Sequence, residues 1–134
     1  GANNEMFELW RSYNRVNIAI IAGEQDMQWY NGAVDNLNEA TDIFNAFIHY
    51  RNKGFLPAKS DAVLAILLTP IDGLIAAANQ KLDKTGLLVE NFQYNTEGIR
   101  GKLNTLAKRC EEQKVFLKQY LASGTAERTR LFYQ

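Results

Sequence analysis

The chain has 134 residues, of which 46% are hydrophobic and 22% charged, with 15 acidic and 15 basic side chains. That length holds a core large enough to fold without disulfides or a structural metal, and the composition excludes global disorder. A formal net charge of zero also excludes the basic excess that nucleic-acid binders use to displace counterions.

In chain order, the first predicted element opens at Asn3 or Asn4, either of which can cap a helix with Glu5 and Glu8 in its first turn. A heptad stripe then runs through Met6, Leu9, Tyr13, Val16, Ile20, Gly23, Met27, Tyr30, Val34, Leu37, Thr41, Phe44 and Ile48. Such 3,4 spacing keeps one helix face turned toward a partner helix. Gly23-Glu24 resembles a helix end followed by an acidic first turn, which favours two helices, near 4–22 and 25–52, over a single one. Gly54 follows as a C-cap, and 54–59 reads as a loop around Pro57.

The next helix begins at Ser60 and meets Pro70, where Thr69-Pro70-Ile71-Asp72 has the order of an N-cap and first turn, so a restart or kink is expected. Lys84-Thr85-Gly86 reads as its C-terminus. The last helix starts after Gly86 or after Asn95, is strongest from Lys102 to Leu121, and ends at Ser123-Gly124. The tail, 125–134, is expected to dock Leu131, Phe132 and Tyr133 on the bundle. A second stripe passes through Ile71, Ile75, Ala78, Leu82, Thr85, Val89, Phe92, Thr96, Ile99, Leu103, Leu106, Cys110, Gln113, Leu117 and Tyr120. The expectation is an all-α, single-domain chain (1–134) forming an antiparallel up-down helical bundle of four, or three long, helices.

Charge is uneven along this order. Residues 1–57 carry seven acids against Arg11, Arg15, Arg51 and Lys53, and the balance is made up by bases such as Arg100, Lys102, Lys108 and Arg109. The two halves are expected to pack side by side and pair their rims.

Catalytic chemistry finds little to work with. Di-metal bundles need Glu-x-x-His on facing helices, and here the one histidine, His49, has Ala46 three residues before it. A zinc site needs several Cys or His, and the sequence has only Cys110 and His49. Phosphotransfer bundles carry His-x-x-Lys-Gly, whereas His49 is followed by Tyr50-Arg51-Asn52-Lys53-Gly54, one position too long. There is no Gly-x-Ser-x-Gly and no phosphate-binding glycine loop. Glu111 and Glu112 are neighbours and point apart on a helix. No enzyme, no cofactor and no metal is expected. Cys110, on the stripe, reads as a small core residue.

Surface remains. Phe7, Ile18, Ile21 and Trp29 lie off the stripe, so the stretch Ile18 to Ala22 is apolar on several faces. Enclosure by neighbouring helices of the bundle is the first expectation, and a homodimer seam or ligand pocket the second. Candidate contact residues are Trp10, Asn17, Ile18, Ile21, Trp29 and Tyr30, the aromatics as anchors and Asn17, with Asn14, to orient a small ligand.

A bundle whose first and last helices carry long heptads resembles the extracytoplasmic sensor modules of bacterial chemoreceptors and sensor kinases. Within it, Ala22-Gly23-Glu24-Gln25-Asp26-Met27 resembles the Ala-Gly-x-Gln-Arg-Met stretch of nitrate-sensing members. Glu24 and Asp26 make this stretch acidic where that motif is basic, so anion recognition does not carry over. The resemblance implies a non-enzymatic sensor or interaction module, periplasmic or secreted, that binds a protein partner, itself or a small ligand, with a leader or membrane anchor outside these residues. The alternatives are a secreted or surface assembly subunit and a carrier of apolar ligands.

Overall fold

The computed structural model describes residues 1–53, 61–86, 94–122 and 130. Among these there are three helices and no strand, with α1 spanning Ala2–Asn52, α2 spanning Asp61–Lys84 and α3 spanning Thr96–Ala122. α2 runs antiparallel to α1, with Lys81 Nζ donating to Asn36 Oδ1 at 2.6 Å and the Gly86 amide donating to Asp26 Oδ1 at 3.0 Å. α3 turns back parallel to α1, and Arg51 near the α1 C-terminus reaches Gln113 Oε1 at 2.8 Å.

α1 is one unbroken helix of 51 residues, which corrects the expectation of a break near Gly23. At 1.5 Å per residue it is about 75 Å long. A Cβ at Gly23 would meet nothing within 4 Å, so nothing packs there to force a turn, and a lone glycine costs a helix only about 1 kcal/mol. The N-cap is Gly1, whose carbonyl accepts from the Asn4 amide at 3.1 Å, and neither Asn3 nor Asn4 caps. At the other end Lys53 donates its amide to the His49 carbonyl. Gly54 and the predicted loop lie outside the described residues, as do the expected start at Ser60 and the docked tail.

α2 passes through Pro70 without interruption, so no restart occurs at Thr69. Gly86 follows with φ of 83°, a left-handed conformation that suits glycine and closes the helix where the sequence predicts. α3 opens on Asn95, whose Oδ1 accepts from the Gly98 amide at 2.9 Å. A Cβ at Gly98 would fall 2.5 Å from the Asn95 side chain, so this glycine makes room for the cap.

The core lies between α1 and α2 and is closed by α3. Phe44, Leu68, Ile71, Leu103 and Cys110 are fully buried, and Ala33, Ala40 and Ala78, with no accessible surface, let α1 and α2 approach closely. In α2 and α3 every described member of the predicted stripe is buried or half-buried. In α1 the match holds from Tyr30 to Ile48, where every stripe member is buried or half-buried, and fails from Met6 to Met27. The face actually buried runs Ala22, Asp26, Trp29 (half-buried), Ala33, Leu37, Ala40, Phe44 and Phe47, advancing about 3.6 residues per step, the pitch of the helix itself. The heptad stripe advances 3.5. The difference rotates the stripe about 20° per heptad, roughly 120° over the six heptads from Met6 to Ile48. Leu37 and Phe44 therefore sit in the core while Met6, Leu9, Tyr13, Val16 and Ile20 point away from it.

Electrostatic pairing also differs from expectation. Among the described residues, the ion pairs Arg100–Asp83 at 2.5 Å and Lys114–Asp72 at 2.7 Å both connect α2 with α3. α1 is held instead by hydrogen bonds and by cations over rings. The Arg51 guanidinium lies 3.7 Å from the Phe116 ring centre and Arg109 lies 4.6 Å from that of Phe44.

Candidate interaction surface

α2 reaches no further along α1 than Asp26, where Gly86 docks, so about 30 Å of α1 stands beyond the bundle as an arm. Every residue from 1 to 21 except the half-buried Asn14 is exposed. The stretch Ile18 to Ile21, expected to be enclosed by neighbouring helices, is open: Ile18 is 67% exposed and Ile21 48%, while Ala22 is the first buried residue.

The arm's apolar residues are not spread evenly around the helix. Leu9, Tyr13, Val16 and Ile20 share a face, widened by Met6 and Trp10. The same azimuth continued along the bundle carries Asn31, Asp35, Asn38, Asp42 and Asn45, all exposed and all polar. Conversely, the arm's continuation of the buried face carries Glu8, Ser12, Arg15 and Ala19. Apolar and polar sides thus exchange near residue 22. Apart from Ile18, one turn before Ala22, the arm's continuation of the buried face is polar or small, and its apolar side faces away from the bundle.

The six candidate residues divide into two groups. Trp10, Asn17, Ile18 and Ile21 belong to the arm, where Trp10 stacks on Phe7 at 5.9 Å between ring centres and Arg11 lies over the Phe7 ring at 4.9 Å. Asn17 is exposed there. Trp29 and Tyr30 belong to the bundle's end. Trp29 is covered by Lys84 Nζ at 4.4 Å, and Tyr30 meets Tyr94 at 4.8 Å. Trp29 thus meets α2 and Tyr30 meets the residue before the α3 cap, and the two are not brought together with the arm residues. The exposed heptad members Leu9, Tyr13 and Val16 were absent from the candidate set because the stripe marked them as core.

The residues weighed for chemistry take ordinary positions. His49 is exposed near the α1 C-terminus with its ring edge on Tyr50. Cys110 is fully buried, and burial, with the nearby Asp72 carboxylate, pushes its thiol pKa above the usual range. Among the described residues no group of three or more His, Cys, Asp or Glu is placed to hold a metal. No described helix is long and apolar enough to cross a membrane. An open groove of about 630 Å³ between α1 and α3 is lined by Leu37, Thr41, Gly101, Thr105 and two basic residues, Lys102 and Arg109.

Asp26 is the exception among polar side chains. It is 1% exposed, and only its Oδ1 is bonded, to the Gly86 amide, while no donor reaches Oδ2. It fastens the α2 C-terminus to α1 at the root of the arm. Comparisons with protein-family models, curated proteins and solved structures find no match to this chain.

Proposed function

We propose that the protein is a non-enzymatic helical interaction module whose contact surface is the outward face of the α1 arm. One observation carries this reading: along a single azimuth of α1 the side chains change from polar over the bundle to apolar over the arm, with Met6, Leu9 and Tyr13 each about 70% exposed. Large apolar side chains grouped on one face of a projecting helix mark an association surface. The helix-period pattern favours a helical protein partner over a small ligand, since the arm has no concavity deep enough to enclose one. A bundle of four helices belongs to this proposal, because a partner helix laid along the arm would add to the three of the chain.

The sharpest form of the reading is an extracytoplasmic sensor module, supported by the heptads of α1 and α3 and by the Ala22 to Met27 stretch. It predicts membrane-spanning segments encoded on both sides of these residues. A secreted assembly subunit would have a leader and no second span, and the parent reading frame separates the two.

The contact surface is tested by placing a photo-crosslinking amino acid at position 10 in the arm, or at position 38 on the polar face, in producing cells. Position 10 is expected to yield discrete protein adducts and position 38 none. Equal adducts from both positions, or none from position 10, would remove the reading.

A further inference from the structure

Resting on that reading, we propose that the occupant of the arm is a second copy of this chain, with the two arms paired as a short coiled coil. The period is the first reason. From Met6 to Met27 one set of apolar residues, interrupted at Gly23, recurs every 3.5, the repeat at which two helices supercoil around each other and keep their seams in contact, while Phe7, Ile18 and Ile21 lie off it. A surface built to sit against a flat or irregular partner needs no such repeat, and an identical arm supplies the matching one.

The flanking positions are the second reason. With the stripe as a and d, the g and e positions of two parallel arms bring Glu5 beside Trp10, Ser12 beside Asn17 and Ala19 beside Glu24. No like charges meet, and Glu8, Arg11 and Arg15 fall on outer positions. Arg11 lies within 3.9 Å of Glu8 on its own helix, so it is already spoken for. The arm carries Glu5 and Glu8 against Arg11 and Arg15, so it lacks the cationic face by which an amphipathic helix holds an anionic bilayer.

Area and helix energetics agree. Met6, Leu9, Trp10, Tyr13, Val16 and Ile20, each more than half exposed, offer on the order of 700 Å² per copy, and a pair reaches the roughly 1,200–2,000 Å² of specific interfaces. The arm is also a poor helix in isolation. Asn14, Asn17 and Gly23 and the β-branched Val16, Ile18, Ile20 and Ile21 are weak helix formers, and an unsupported helix of this length is marginal in water. A partner helix supplies the missing support.

The test is the mass of the whole chain in solution by light scattering, for the native protein and for L9E/V16E. The native protein is expected at twice 15.2 kDa and the variant at the mass of one chain, with the thermal transition of the bundle unchanged because both substitutions lie outside it. Any other native mass at about 100 μM, a concentration well above the micromolar range of interfaces this size, overturns the pairing, as does a dimer that survives L9E/V16E. A monomeric native protein whose position-10 crosslinker captures a different protein overturns the pairing and leaves the interaction reading standing. A monomer with no position-10 adduct removes both.

Discussion

Asp26 is the residue on which the geometry of the arm depends. It lies one turn past Ala22, the first buried position of α1, and its bond to the Gly86 amide sets where α2 stops. A buried carboxylate with one oxygen lacking a donor is costly, and the bond to a backbone amide offsets part of that cost. D26N keeps an acceptor for Gly86, whereas D26L removes it. Urea denaturation is therefore expected to show D26L less stable than D26N by about 1–2 kcal/mol, and equal stabilities would mean that the turn bond contributes nothing. Cys110 provides a second check at this scale. Its thiol is buried and its pKa raised, so at pH 8 it should resist a thiol-labelling reagent in the native protein and react fully in denaturant. Rapid native labelling would contradict the packing of α3. Both residues were visible in the sequence, Cys110 as a core position on its stripe. Asp26 was read only as part of an acidic stretch, since a buried acid has no signature of its own until its partner, 60 residues away, is known.

Among the elements, α1 decides the shape of the molecule. Its continuity through Gly23 is testable because the two architectures respond oppositely to a methyl group. In an unbroken helix G23A should raise helix content and stability by up to about 1 kcal/mol, since the added Cβ meets nothing within 4 Å. At a turn requiring glycine it would lower them, and circular dichroism with thermal melting distinguishes the signs. G98A should act the other way at the start of α3, displacing the Asn95 cap at a cost of about 1 kcal/mol. In α2 and α3 the stripe was legible, buried or half-buried along both, as was the close of α2 at Gly86; the restart expected at Thr69 does not occur, and of the two starts the sequence allows for α3, after Gly86 or after Asn95, the structure takes the second. Their success has the same cause as the failure in α1. Over 24 and 27 residues a 3.5-residue repeat drifts about 70–80° from the face of a 3.6-residue helix and stays on its buried side, whereas from Met6 to Ile48 in α1 it drifts by about a third of a turn.

For the whole molecule, bundle and arm are separable in their energetics. The buried cluster draws on α1 only from Ala33 onward, so removing residues 1–20 is expected to shift the bundle's thermal midpoint by only a few degrees while abolishing the dimer. A collapse of the bundle on truncation would show that the arm has a structural partner within the same chain. Sequence alone determined that the chain is helical, that α2 closes at Gly86, and which residues are apolar on a repeating face, because caps and periodicity act over a few residues. It could not determine what each face meets. Whether Phe44 and Leu9, members of one stripe, are core or surface depends on how far α2 extends along α1 and on a rotation that accumulates over 40 residues, and only the packed helices fix those two quantities.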